Sequence, residues 1–403
     1  MHAPSTSPRA RRAGAVLALI AGTALGATPA AAEEAAPLPP APVDVAAFPP
    51  PAAPPPRDLG VEVHGVVAPW WTPWSQPGPG AATDAVRLRF AVLRVDARPA
   101  PRVTVLARLG LMLPGSPLLD AQATYQPVDA VGVTFGQFRL PIGASATTLA
   151  PQLTMLDRPR YVYAMTKLAF RDVGAMIHTG PGGLADGLVH ARVALAGGSG
   201  RLGNGVARAP AAGQYLVAAR VVVDAGRRVF GGARDRLAVG ASYLRSHDPA
   251  IDTGSPADDA TLAAGTLGRT LAPIGVERVT SLIGADATVA RGAAWAQAEA
   301  MYLRSRGVDD PARRDAAGVS VEVAWTLPVR LADHALQIAA RGERFDPDLD
   351  AAGDAQHVAA VGLNASLARL RWSVFGSVTA FDDAATGASR HAGELAVRAV
   401  ATF

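Results

Sequence analysis

The sequence predicts an all-β protein: a sixteen-stranded antiparallel transmembrane β-barrel with an inward-folded third loop. Three observations predict it. From Leu59 onward, apolar and polar residues alternate with period 2, which sends one set of side chains to an apolar medium and the other to water. The alternating segments number sixteen, an even count. Their connections alternate between short and long. Strands of about ten residues, with tight turns at one end and long loops at the other, are the pattern of outer-membrane barrels. The cause is backbone chemistry. No peptide group can stay unpaired in lipid, and a closed barrel pairs them all. A soluble sandwich would bury both inner faces. Here the second face carries Arg, Glu and Gln, charges that a dry interior does not tolerate.

The elements are taken in chain order. Arg9, Arg11 and Arg12 precede the apolar run Ala13–Ala27, and Ala30, Ala31 and Ala32 supply a small-residue cleavage site. Residues 1–32 therefore read as a secretory signal peptide. They contain no acid, so the formal charge of +4 falls to +1 without their three arginines. Residues 33–58 read as a periplasmic spacer. Ten of the twenty residues 37–56 are proline, which fixes φ and keeps such a stretch extended. Residues 59–403 form the barrel.

Strands are expected near 60–70, 85–96, 102–112, 118–126, 130–138, 172–180, 187–196, 212–223, 235–246, 276–290, 293–304, 317–327, 334–345, 356–367, 369–381 and 393–403. The last one shows the pattern well. Leu395, Val397, Ala399, Ala401 and Phe403 share a face against Glu394, Ala396, Arg398 and Thr402, with Val400 as the exception. Val319, Val321, Val323, Trp325 and Leu327 repeat it. Trp70, Trp71 and Trp74 lie at a strand end and read as part of an interfacial aromatic girdle. Phe403, a terminal aromatic on an amphipathic strand, suits recognition by the barrel-insertion machinery.

Composition removes other classes. The chain has no cysteine, so disulfide scaffolds and thiolate metal sites are excluded. A mean hydropathy of +0.18 is too apolar for a disordered chain. After residue 32 no apolar run is long enough for a transmembrane helix. The sequence holds no G-x-S-x-G and no H-E-x-x-H, and no catalytic residue, cofactor, metal or nucleic-acid partner is assigned. Gly198–Gly203 spells G-x-G-x-x-G but opens no helix. Asp346, Asp348, Asp350 and Asp354 lack the Gly and Glu of a calcium loop and read as a solvated loop.

Several segments resemble the phosphate-selective porin O and P family. Gly136-Gln137-Phe138-Arg139-Leu140-Pro141-Ile142-Gly143 is similar to the run that closes a strand and opens that family's third external loop. Asp157-Arg158 resembles its acid–Arg pair, and Arg171-Asp172-Val173-Gly174 its barrel re-entry. Asp120-Ala121 resembles a strand start. Arg341-Gly342-Glu343-Arg344-Phe345-Asp346 resembles a strand-end pattern. The resemblance implies a homotrimer of sixteen-stranded barrels in a bacterial outer membrane, surrounded by its lipid and passing small inorganic anions. Two departures bear on phosphate: Ile142 replaces the common aromatic, and Lys167 is the sole lysine.

The chemistry of such a channel sits where the lumen is narrowest. The connection Arg139–Arg171 holds Arg139, Arg158, Arg160, Lys167 and Arg171 against one acid, Asp157, for a local charge of +4. Cations at a constriction lower the barrier to anions. Arg87, Arg89 and Arg108 are further candidates from lumen-facing strand positions, as are Arg102, Arg369, Arg371 and Arg398. The alternative for any one of these arginines is a pairing with wall acids such as Asp120, Glu322, Glu343 and Glu394. Three readings result: a small-anion porin with an Arg-rich constriction loop, a general non-selective porin, or a structural or adhesive barrel.

Overall fold

The computed structural model describes residues 60–75, 85–111, 118–149, 152–155, 157–166, 171–197, 215–232, 235–248, 278–307, 313–331, 333–350, 355–382 and 389–403. The strands are β1 Val61–Ser75, β2 Ala85–Ala100, β3 Val103–Gly110, β4 Leu118–Val128, β5 Val131–Arg139, β6 Arg171–Thr179, β7 Val189–Ala196 and β8 Leu216–Asp224. They continue as β9 Arg236–Asp248, β10 Arg278–Arg291, β11 Ala294–Gly307, β12 Arg313–Leu331, β13 His334–Asp346, β14 Gln356–Leu367, β15 Leu370–Asp382 and β16 Ser389–Thr402. Three short helices lie in connections: α1 Ala144–Thr147, α2 Arg160–Thr166 and α3 Gly226–Phe230.

Each strand pairs antiparallel with its sequence neighbours, and β1 pairs with β16, so the sheet closes on itself. At the seam Gly65 and Phe403 exchange backbone hydrogen bonds, each 3.0 Å. Closure leaves the sheet without an edge of unpaired peptide groups. The expected sixteen-stranded antiparallel barrel is thus the observed one.

The outer face is the apolar one. Val319 faces outward with exposed Val321, Val323 and Trp325 on β12, and exposed Val374, Val378 and Trp372 do the same on β15. Their neighbours Ser320, Ser373 and Thr379 point inward and are buried. Val400, the exception in the last strand, also points inward and is buried.

Some boundaries and facings differ from expectation. β12 starts at Arg313 and ends at Leu331, four residues beyond the expected 317–327 at each end. Its first residues are charged, and Arg313 and Asp315 satisfy each other there. β1 runs on to Ser75. Trp70 and Trp71 therefore fall on opposite faces: Trp71 is exposed, while Trp70 pairs with Arg398 on the lumen side. Arg102 is a turn residue with φ of 67° rather than a wall residue, and its guanidinium caps the carbonyl of Pro127. Arg369 likewise sits in the turn after Leu367, where its carbonyl accepts from Thr402. The connection between β8 and β9 is longer than a tight turn because it holds α3.

The in–out alternation of β5 breaks at Gly136. Gly136 has φ of 111°, a conformation that suits glycine, and a Cβ there would lie 2.2 Å from the carbonyl oxygen of Ala121. Before it, Phe135 faces outward; after it, Gln137 and Phe138 are both buried. Phe138 joins the buried cluster under the loop, while Gln137 donates to the carbonyls of Leu118 and Leu119.

Candidate functional site

The connection after β5 crosses the lumen. Strand β5 is hydrogen-bonded to β4 and β6 only. Yet the N–H of Gly143 donates to Ser242 Oγ on β9 at 2.9 Å. The N–H of Ser145 donates to Glu299 Oε2 on β11 at 3.2 Å, and Gln297 Nε2 donates to Ser145 Oγ at 3.0 Å. Tyr161 Oη donates to the carbonyl of Glu299 at 3.0 Å and shares a 2.9 Å hydrogen bond with Ser320 Oγ on β12. The N–H of Arg160 donates to Glu343 Oε1 on β13 at 2.5 Å. Arg341 Nη1 donates to the carbonyl of Asp157 at 2.5 Å. Asn364 Nδ2 on β14 reaches the carbonyl of Thr154 at 3.0 Å, and Arg371 on β15 reaches that of Leu153. Asn364 and Arg371 flank the short turn between β14 and β15, so the loop reaches deep toward the turn end of the barrel.

Packing holds the same segment. Phe138, Leu140, Ile142, Ala146, Tyr161, Val162 and Met165 form one buried apolar cluster with inward residues of β6 to β13, among them Leu216, Leu282, Met301 and Phe345. Met155 lies in a second cluster with Trp295, Ala324, Ala339, Ala360 and Phe375. Part of the lumen wall is therefore apolar and covered by the loop. Gly318 makes the seat for the Tyr161 ring, since a Cβ there would lie 2.1 Å from Tyr161 Cγ. Burial pushes the Tyr161 phenol well above its ordinary pKa, so it stays a neutral donor.

The expected site residues fall into three groups. Arg108 and Arg171 grip one carboxylate: Arg108 Nη1 lies 2.6 Å from Asp120 Oδ2, and Arg171 Nε lies 2.7 Å from Asp120 Oδ1. Arg139, paired in register with Arg171, donates to the carbonyls of Thr147 and Thr148 at 3.0 and 2.8 Å. Arg158 is buried and pins the loop to itself, donating from Nε to the carbonyl of Ser145 at 2.8 Å and to that of Thr148. Arg160 joins β13 through its backbone, beside Glu343. Lys167, the side chains of Arg87, Arg89 and Trp74, and the G-x-G-x-x-G run lie outside the described residues.

The wall answers the loop's charge. Among the described residues, Arg108, Arg139, Arg158, Arg160, Arg171, Arg341 and Arg371 surround the loop. Asp120, Asp157, Asp172, Glu299, Glu322 and Glu343 stand against them, which leaves a formal +1. The positive excess is local. It lies where Arg108, Arg139 and Arg171 gather around Asp120, with Asp172 next along β6.

Sequence reasoning missed two features. One is the lumen pair Arg220–Asp286, held in two-pronged fashion at 2.5 and 2.9 Å between β8 and β10, with Ser242 also accepting from Arg220 at 2.9 Å. The charged pair was visible only as inward positions of separate strands. The other is the Tyr161–Gly318 seat, which has no local signature.

This arrangement defines a class: a closed antiparallel barrel narrowed by a loop folded inward after the fifth strand. Three solved structures similar in fold are a porin, an outer membrane protein and an outer membrane channel. The anion-selective porin from Comamonas acidovorans aligns with a TM-score of 0.59 at 10% identity, over 86% of this chain and 100% of that one. OmpT, an outer membrane protein of Vibrio cholerae, aligns at 0.57 and 12% identity, over 85% of this chain and 97% of that one. The outer membrane channel DcaP of Acinetobacter baumannii aligns at 0.52 and 13% identity, over 85% of this chain and 97% of that one. No family model and no curated protein sequence matches the chain.

Proposed function

We propose that the protein is an outer-membrane porin giving passive diffusion to small inorganic anions such as phosphate. The observation that carries this reading is the loop between β5 and β6, docked through the lumen onto β9 and β11 to β15. A sixteen-stranded barrel is wide enough for water, and what narrows it sets what passes. Arg108, Arg139 and Arg171 around Asp120 supply a positive focus beside the loop's root, and a guanidinium offers an oxyanion two parallel donors. The likeness in fold to an anion-selective porin supports the same reading.

The rest of the assignment belongs to this proposal: kinship to the phosphate-selective porin O and P family, a signal peptide over 1–32, a spacer over 33–58, Phe403 as the insertion signal, and a homotrimer in the bacterial outer membrane. The near balance of arginines and carboxylates around the loop favours a second reading, a general porin with little selectivity. Planar-bilayer recording in a salt gradient separates the two. The anion reading expects a reversal potential of anion sign, reduced when Arg108 and Arg171 are both changed to Gln. A reversal potential near zero selects the general porin, and a cation sign rejects the anion reading.

A further inference from the structure

The outer face carries a second set of arginines that the channel does not use. On β9, Leu244 and Ser246 point inward and are buried, while Arg245 between them is exposed to the outside. On β11, Met301 and Ser305 point inward, while Arg304 and Arg306 are exposed to the outside. Register links them: Arg245 pairs with Ser281, Ser281 with Arg304, and Arg304 with Asp315. Arg306 pairs with Arg313 one step further out. Among the described residues of β9, β11 and β12, four arginines thus face one carboxylate, an excess of +3 on these three strands. On β13 beside them Arg344 pairs with Asp346 at 3.7 Å, and Asp348 and Asp350 follow in the turn whose Leu349 N–H donates to the Asp315 carbonyl, so the positive excess is confined to β9, β11 and the start of β12. They remain open: the side chains of Arg304 and Arg313 are 51% and 35% exposed.

Their height is set by the strands. Tyr302 and Tyr243 are register partners of Ile283 and lie two residues inward of Arg304 and Arg245 along their strands. Ala317, the partner of Tyr302, is eight residue steps from Trp325. That is about 27 Å of strand, or about 20 Å along the membrane normal at a tilt near 40°. That stretch makes up most of the ~25 Å apolar band of an outer-membrane barrel, exposed Val329 and Leu331 carry the apolar face on toward the turns, and the arginines sit just beyond its loop-side edge. Lipid there offers headgroups, and an arginine excess at that level complements phosphate.

We propose that Arg245, Arg304, Arg306 and Arg313 form a binding site for the phosphate groups of a glycolipid of the outer leaflet. The inference rests on the reading of the barrel as an outer-membrane protein. The test uses the full folded chain in detergent, titrated with phosphorylated lipid A and with its dephosphorylated form. The proposal expects phosphorylated lipid to bind at least about tenfold more tightly, an advantage that salt erodes. It expects the variant carrying Arg245→Gln, Arg304→Gln, Arg306→Gln and Arg313→Gln to lose that advantage, and millimolar inorganic phosphate to displace little lipid. Asp315→Asn keeps all four arginines and is expected to bind at least as tightly as the parent, which separates lost charge from lost fold. Arg306→Gln alone, exposed and at the strand end, gives a partial loss by the same readout. Equal affinity for the two lipids, an unaffected fourfold variant, or complete displacement by inorganic phosphate overturns the proposal. Bilayer conductance of the fourfold variant is expected to match the parent, so a protein that conducts but ignores lipid phosphate breaks this inference alone.

Discussion

The barrel carries arginines on both of its faces, and their neighbours differ. Inside, Arg220 is 5% exposed and locked to Asp286; Arg108 and Arg171, at 12% and 10%, share Asp120. Outside, at the loop-side rim, Arg304 and Arg313 share Asp315 with half or a third of their surface open. The residue type is the same, but the environment decides its work. Buried arginines hold the wall and the loop together, and their net charge nearly cancels. Open arginines at the rim hold little and remain able to bind.

This contrast can be broken most severely at Asp286. Asp286→Ala leaves the Arg220 guanidinium buried without its carboxylate, and unfolding is expected to become easier by about 3–5 kcal/mol. The shift in thermal or urea midpoint measures it, and Asp286→Asn, which keeps one acceptor, is expected to cost less. Next comes the loop's seat. Gly318→Val puts side-chain atoms where the Tyr161 ring lies. A stability loss of about 1–3 kcal/mol is expected, with larger and noisier single-channel conductance as the loop undocks. In a Tyr161→Ala background the same substitution is expected to cost less, and an additive double mutant would mean that Gly318 does not seat the ring. The smallest effect is expected on the outer face. Asp315→Ala frees two arginines that are already open and the Tyr302 hydroxyl that donates to Asp315 at 2.8 Å, so the change in stability is expected to be about 1 kcal/mol, with the reversal potential unchanged.

The fold was legible because alternate residues point to opposite faces, one apolar and one polar. Val319 to Trp325 and Leu395 to Phe403 state the alternation plainly, and turns and loops alternate between strands. The alternation fails where both faces are apolar. Ala218, Leu282, Met301 and Ala316 point into the lumen and are apolar because the loop covers them, a tertiary fact with no period in the sequence. The charged start of β12 hid its true beginning for the opposite reason, since Arg313 and Asp315 satisfy each other at the rim and interrupt the apolar outer face. For the loop, its basic count was legible, and so were Asp120, Glu322 and Glu343 as wall acids, but not which arginine each meets, nor the part of Glu299. Asp120, Glu299, Glu322 and Glu343 come from four strands, and only barrel closure brings them against it. Arg139 and Arg158 carry charge, yet their donors are used on loop carbonyls.

The central proposal is that a loop-narrowed, water-filled lumen passes anions because of the arginines gathered at Asp120. Its most direct test is the reversal potential of the protein in a planar bilayer under a salt gradient, compared with that of Asp120→Asn. Anion preference is expected in the parent and a stronger one in the variant, where Arg108 and Arg171 lose their shared counter-charge. Cation preference, absence of conductance, or an identical reversal potential in a folded Asp120→Asn channel would contradict it.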